Sequence, residues 1–243
     1  MIPERMIRAV GSLRGAAAAD KLCEACVEVL DVDAAAISLF ADGVNSGTLG
    51  ASSPPARIYD ELQFTLGEGP CIDSVQFGTP VLVHDLLESQ VVRWSAYGPA
   101  LLSRDVRGVF AIPVEVAGQY LAALNLFRAE PGPLGDHQLT VGMGVAELAA
   151  IPILDVLDQS SYRSADNDDV DADASAELDS LIRVEVTQAT GMLIAQLDVA
   201  PAEALVRLRA HAYAENRSAT DVARDILAGR LRLANDRVGG EGL

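Results

Sequence analysis

Arg183, Arg207, Arg209 and Arg217 share one C-terminal stretch with Gln188, Thr190, Tyr213 and Asn216, and that company of side chains is suited to nucleic acid. A guanidinium is a planar fork of donors that fits phosphate oxygens and stacks on bases. Amides and hydroxyls reach base edges, and a tyrosine ring offers an unpaired base a surface. Thr187 and Gly191 join the set by spacing: Arg183, Thr187, Thr190 and Gly191 stand at i, i+4, i+7 and i+8, which predicts one side of a helix with Gln188 at its margin. Residues 1–160 carry 9 Lys+Arg against 20 Asp+Glu and residues 161–180 carry 1 against 7, whereas residues 181–243 carry 8 of each, every cation being arginine. The formal net charge of −17 therefore lies outside the one stretch that does not repel a polyanion.

Three helices must hold these residues. Leu178, Ile182, Val186, Ala189, Leu193 and Leu197 recur three or four residues apart and predict a long amphipathic first helix. Gly191 stands in its interior, where glycine costs about 1 kcal/mol relative to alanine, so a close approach by a helix or a backbone is expected there. Pro201, whose fixed φ suits a first helical position, opens a second helix with Ala204, Leu205, Leu208 and Ala212 inward. Asn216-Arg217 makes a turn, and Ser218-Ala219-Thr220-Asp221 has the form in which a serine oxygen caps a third helix, buried through Val222, Ala223, Ile226 and Leu227. Taken alone, Asn216 is equally a left-handed residue ending the second helix, the arginines a solvated face, and Pro201–Ala228 a helix-turn-helix for duplex DNA.

The string Arg183-Val184-Glu185-Val186-Thr187-Gln188-Ala189-Thr190-Gly191-Met192-Leu193, followed by Glu203-Ala204, Leu208-Arg209, Ala212, Asn216-Arg217 and Asp221-Val222-Ala223, resembles the ANTAR family of three-helix RNA-binding domains. The resemblance implies binding to paired hexaloop hairpins in nascent transcripts, which prevents a terminator from forming. It also implies a homodimer, since two loops call for two binding domains. On this reading Arg183, Arg209 and Arg217 grip phosphates while Gln188, Thr190, Tyr213 and Asn216 read or stack on loop bases. One position departs from the family: Thr190 stands where an A-K-G motif has lysine, which leaves a phosphate contact to a hydroxyl.

Upstream, the pattern predicts a helix over Met1–Leu30, strands at Ala34–Ala41 and Thr48–Ser52, a break at Pro54-Pro55, and a short helix at Ala56–Gln63. A glycine-rich bend, Leu66-Gly67-Glu68-Gly69-Pro70-Cys71-Ile72-Asp73, enters another helix. Then come a strand at Val81-Leu82-Val83, a helix at Ser95–Ser103, a hairpin of Gly108–Val116 and Tyr120–Arg128, and a long helix over Gly135–Gln159 kinked at Pro152. The fold class is α+β: an antiparallel-sheet α/β sandwich followed by a small three-helix all-α domain. The bend, Thr79-Pro80 before a strand, and Ala111-Ile112-Pro113-Val114 leading to Ala123-Leu124-Asn125-Leu126-Phe127 resemble a GAF sensory domain. Such domains commonly hold a small molecule between the sheet and the loops over it, while some only dimerise. Phe64, Cys71, Trp94 and Phe110 are the candidate pocket residues, and nothing in the sequence identifies the ligand. The expected organisation is a sensory domain over 1–159, an acidic linker over 160–176, the RNA-binding domain over 177–235 and a flexible tail over 236–243.

Other chemistries lack carriers. Gly67-x-Gly69 has no third glycine and no following Lys-Ser or Lys-Thr, so it is a weak phosphate signal. Cys23 and Cys26 form a C-x-x-C with no second pair, which reads as two packed helix thiols. His84, His137 and His211 are isolated, no nucleophile-base arrangement can be built, and the residues call for no metal ion, cofactor or catalytic role. Three cysteines, no signal-peptide pattern and apolar runs shorter than a membrane span point to a soluble cytoplasmic protein. Asp166, Asp168, Asp169, Asp171 and Asp173 would place an acidic segment beside the RNA-binding helices, where it could compete with RNA.

Overall fold

The structure is a computed structural model that describes residues 6, 11–41, 43–88, 93–165 and 183–233. It forms two compact units, Met1–Ile182 and Arg183–Leu243. The acidic residues at 166–173, and Leu178 and Ile182 of the predicted first C-terminal helix, lie outside the described residues.

The first unit runs α1 (Gly15–Leu30), β1 (Ala34–Ala41), β2 (Val44–Ala51), α2 (Pro54–Leu66), α3 (Pro70–Phe77), β3 (Val81–Val83), α4 (Tyr97–Leu102), β4 (Gly108–Val116), β5 (Gln119–Arg128) and α5 (Asp136–Ala165). Its five strands form one antiparallel sheet in the order β2-β1-β5-β4-β3. Because side chains alternate along a strand, Ile112 and Val114 of β4 with Leu124 and Leu126 of β5 meet Leu22, Cys26, Val141, Val145 and Ile153 of α1 and α5. The alternate residues, Val109 and Ala111 with Ala123 and Phe127, face α2, α3 and α4. The sheet is thus covered on both sides, which explains why its central strands read as unbroken apolar runs.

Several boundaries differ from the sequence pattern for local reasons. Pro54 and Pro55 start a helix, at positions where a missing N–H goes unfelt, and Ser53 caps it by accepting from the Ala56 N–H at 3.3 Å. The first hairpin is tighter than predicted: Asn45, Ser46 and Gly47 belong to β2, and irregularities at Ile37/Ser38 and Leu39/Phe40 absorb the extra residues. Gly11 and Gly15 adopt positive φ, so α1 begins only at Gly15. The second hairpin closes on Ala117 and Gly118, both at positive φ, as a two-residue turn requires.

The helix α5 carries Pro152 and extends to Ala165, beyond the predicted end. By length and composition alone its stretch Asp136–Asp158 is long and apolar enough to cross a bilayer. Val141, Val145, Ala149, Ile153 and Val156 nevertheless recur at helical spacing and are buried against the sheet and α1, as in the core helix of a globular unit.

The second unit is α6 (Val184–Leu197), α7 (Pro201–Ala214) and α8 (Ala219–Leu227); of the predicted apolar residues, Val186, Ala189, Leu193, Leu197, Ala204, Leu208, Ala212, Val222, Ala223 and Ile226 are buried, whereas Leu205 and Leu227 are half-buried.

Helix α1 approaches the sheet closely at Gly50, where an added Cβ would lie 2.5 Å from the Ala19 backbone carbon. Backbone cannot rotate aside, so Gly50→Ala should cost roughly 1–3 kcal/mol. A lowered urea midpoint would show it, with Gly98→Ala, whose Cβ meets nothing within 4 Å, as the unaffected control.

Candidate functional site

The C-terminal helices sort the predicted residues by accessibility. Arg183 precedes α6 with φ 45°, in the left-handed region, and is only 6 % exposed. The predicted helical face joining it to Thr187 and Thr190 is therefore not formed, because the helix starts one residue later, and Arg183 sits within the bundle. Arg209 is half-buried beside it: burial first, and the Arg183 charge second, push its guanidinium down to about 10. Arg207 donates to Glu203 one turn earlier at 2.8 Å. The Thr190 hydroxyl donates to the Val186 carbonyl of its own helix at 2.7 Å, so its proton is committed internally.

Asn216 has a structural role. It takes φ 51° after α7, its N–H reaches the Tyr213 carbonyl at 3.1 Å, and the Arg217 N–H reaches the Ala212 carbonyl at 2.9 Å. That pair of bonds is a Schellman motif, in which the left-handed residue closes the helix. Ser218 caps α8 as its spacing predicts, accepting from the Asp221 N–H at 3.0 Å. Thr187, Gln188, Gly191 and Met192 are open to solvent along one side of α6 and Ala202, Val206, Ala210 and Tyr213 along α7, and Asn216 and Arg217 are exposed at the turn that follows. Tyr213 is 63 % exposed.

Arg224 and Arg230 escaped the sequence reading. Arg224 pairs with Glu185 at 3.1 Å and Asp221 at 3.4 Å, while Arg217 and Arg230 both pair with Asp225 at 2.6 Å. The available signal was Ala228-Gly229-Arg230, a helix end whose glycine takes φ 69°.

The sheet unit holds a different constellation from the aromatic one predicted. Phe64, Cys71, Trp94 and Phe110 are all buried, but Phe110 shares its face of β4 with Ile112 and packs on the α1 and α5 side. It cannot join Cys71 and Trp94 on the other side. Trp94 donates its indole N–H to Asp73 at 2.9 Å. Polar groups occupy the α2 side instead. Asp60 of α2, fully buried, accepts from the hydroxyls of Ser38 and Thr48 and from Asn125 Nδ2 at 3.0 Å, and that Asn125 nitrogen also donates to Ser38 at 2.7 Å. Gln63 Oε1 accepts the Cys71 N–H at 2.8 Å, and Asn45 Nδ2 lies 3.7 Å from the Cys71 sulfur. Among the described residues, Gln63 Nε2, Asn125 Oδ1 and Tyr97 Oη are buried without a hydrogen-bond partner. The Tyr97 phenol is pushed well up by burial, then by Cys71 and Asp60.

The glycine-rich bend serves this interior. Gly67 is the left-handed cap of α2, and Gly69 takes φ 146° where a Cβ would lie 2.5 Å from Gln63 Oε1. Glu68 accepts the N–H groups of Ala96 and Tyr97 at 2.6 and 2.8 Å, which fixes the start of α4. No phosphate cradle results. Cys23 and Cys26 are buried, with burial the main cause holding both thiols up, Cys26 to about 12. Among the described residues no His, Cys, Asp or Glu group could hold a metal ion.

The sequence profile of the GAF domain matches residues 16–153, more than half of the chain, and that of the ANTAR domain matches residues 173–227. The chain belongs to the GAF family. An ANTAR domain follows the GAF domain, so a sensory module precedes a module of the RNA-binding antitermination regulators, and both families are regulatory. Solved structures that share the GAF fold include two domains from phosphotransferases. The GAF domain from a phosphoenolpyruvate-protein phosphotransferase of Coxiella burnetii has a TM-score of 0.53 at 16 % identity, covering 65 % of this chain and 94 % of that one. The GAF domain from the Acinetobacter phosphoenolpyruvate-protein phosphotransferase gives 0.50 at 11 % identity, again over 65 % and 94 %. No curated protein matches the chain.

Within the ANTAR domain the role of Asn216 is testable. Asn216→Gly should keep full stability, whereas Asn216→Ala should lose about 1 kcal/mol because a Cβ residue resists the left-handed conformation. Equal melting of the two variants would contradict the capping role.

Proposed function

We propose that this protein is a signal-responsive transcription antitermination regulator whose ANTAR domains bind paired hairpin loops in nascent RNA as a homodimer. One observation carries the reading. Gly191 stands in mid-helix, exposed, and an added Cβ would meet nothing within 4 Å. No packing within the unit accounts for a residue that weakens α6, whereas a flat, side-chain-free patch between Thr187, Gln188 and Met192 suits close approach by RNA. Tyr213 supplies a stacking surface for an unpaired base. Arg209 and Arg217 supply charge, the latter by exchanging its present partner. Arg183, being buried, orients rather than grips.

The dimer is supported by Met143, Ile151 and Leu154, exposed apolar residues at helical spacing on α5. A small-molecule signal is supported by the polar interior of the GAF domain. Gln63 Nε2 needs an acceptor and Asn125 Oδ1 needs a donor, and the bonds each side chain already makes fix which atom is which. A neutral molecule carrying both donor and acceptor answers them; a simple carboxylate offers no proton to Asn125, and a simple ammonium offers no lone pair to Gln63.

Binding and assembly measurements test this function. RNA carrying two hexaloop hairpins should bind the full chain with log K falling by about 0.7 per phosphate contact for each unit of log[salt]. Gly191→Ala should weaken that binding while stabilising α6 by up to about 1 kcal/mol. Leu154→Asp should give a monomer by light scattering and remove the advantage of two hairpins over one. Tighter binding to duplex DNA would favour the helix-turn-helix reading, and no nucleic-acid binding would leave a ligand-sensing interaction module.

For the GAF domain, acetamide should raise the melting temperature saturably, and isosteric acetate and ammonium should not. The effect should vanish in Tyr97→Phe combined with Gln63→Leu. Equal responses to all three solutes would remove the ligand assignment.

A further inference from the structure

Two helix ends in the ANTAR domain are built alike and converge on one carboxylate. After α7, Asn216 at φ 51° is followed by Arg217, whose N–H bonds Ala212 at 2.9 Å. After α8, Gly229 at φ 69° donates to the Ile226 carbonyl at 3.0 Å, and the following Arg230 N–H bonds the Asp225 carbonyl at 2.9 Å. Each arginine thus occupies the last position of a Schellman motif, with its backbone fixed by its own helix end. Their guanidinium groups meet at Asp225. Oδ2 accepts from Arg217 Nη2 at 2.6 Å and Oδ1 accepts from Arg230 Nε at 2.7 Å, so each oxygen of the carboxylate takes one arginine. Arg217 Nη2 also reaches the Asp221 carbonyl at 3.3 Å.

An anion presenting two oxygens between two guanidinium forks is the arrangement in which arginines hold a phosphate. The junction is also accessible: the Arg217 side chain is 37 % exposed and that of Arg230 63 %, over a carboxylate at 22 %. Exposed ion pairs of this kind are worth between nothing and about 1 kcal/mol, so a competing anion can break them. The hydrogen bonds from Arg217 and Arg230 hold the Asp225 carboxyl below the usual carboxylate range. It therefore stays ionised at neutral pH and leaves only by exchange. We infer that the Arg217–Asp225–Arg230 junction is an internally occupied phosphate site, in which Asp225 holds the place of an RNA backbone phosphate and RNA binds by displacing its carboxylate from the two arginines. This rests on the RNA-binding function proposed above.

The inference separates Asp225 from a mere staple between α8 and the turn before it. A staple, once removed, loosens the domain and weakens every property that depends on it. A place-holder, once neutralised, leaves both arginines open and strengthens the contact it was blocking.

The test measures binding of the full chain to RNA carrying two hexaloop hairpins at low salt, below the melting temperature of each variant. Asp225→Asn should bind roughly fivefold tighter than the natural protein, the magnitude of one exposed ion pair, and its salt dependence should steepen by about 0.7 for the phosphate gained. Asp225→Glu, which keeps the charge, should bind as the natural protein does. Arg217→Gln with Arg230→Gln, added to Asp225→Asn, should abolish the gain. Natural protein that binds while Asp225→Asn is unchanged or weaker would overturn the place-holder role and leave the RNA reading standing. Failure of both proteins to bind would overturn the RNA reading and this inference together.

Discussion

Charge compensation inside the ANTAR domain is the constraint on which the functional structure depends. In a chain with a formal net charge of −17, Arg207, Arg217, Arg224 and Arg230 each face a carboxylate of their own unit. Two further arginines, Arg183 and Arg209, lie close enough for one charge to disturb the other. The surface therefore meets an incoming polyanion with exchangeable pairs instead of a bare basic patch. Exposed pairs contribute little to stability but orient long side chains, so the arginines are held in place before any ligand arrives. Duplex binding draws much of its affinity from phosphates, and a compensated surface is poorly matched to it. On the proposed function, unpaired loop bases would instead be read through uncharged groups, and Thr187, Gln188, Gly191, Tyr213 and Asn216 are accessible.

The GAF domain obeys the same logic with burial in place of solvent. Asp60 ties α2 to β1 through Ser38, to β2 through Thr48 and to β5 through Asn125. A fully buried carboxylate is tolerable only because these donors surround it. The same cluster carries the unanswered Gln63, Asn125 and Tyr97 atoms, and each unsatisfied buried group costs about 1–3 kcal/mol. A partner for them would act on three strands and a helix at once. On the proposed function, ligand binding and core stability would draw on the same side chains.

Much of this was legible locally. Helical spacing placed Val186, Ala189, Leu193 and Leu197 inward, Pro201 opened α7 and Ser218 capped α8, because caps and apolar stripes are decided within a few residues. Strand alternation is legible too, and it extends to Phe110: its parity matches Ile112 and Val114, which assigns it to the α1 and α5 side. Parity likewise puts Asn125 with Ala123 and Phe127, on the side of Asp60. Ser38 and Asn125, polar residues inside apolar runs, marked the buried cluster without naming its centre. Asp60 is separated from them by 22 and 65 residues, and no periodicity links positions so far apart.

The arginines show where pattern reasoning stops. Their type and number were readable, and the neutral balance of residues 181–243 was counted, but a balance does not say who pairs with whom. Pairing followed from two turns. Asn216 and Gly229 reverse the chain after α7 and α8, and each reversal delivers the next residue, an arginine, to the same carboxylate. Had either turn lacked a residue tolerant of positive φ, its arginine would leave the helix in another direction and Asp225 would hold one guanidinium in place of two. The electrostatics of the Arg217–Asp225–Arg230 junction is therefore a consequence of backbone conformation at two positions, neither of them charged.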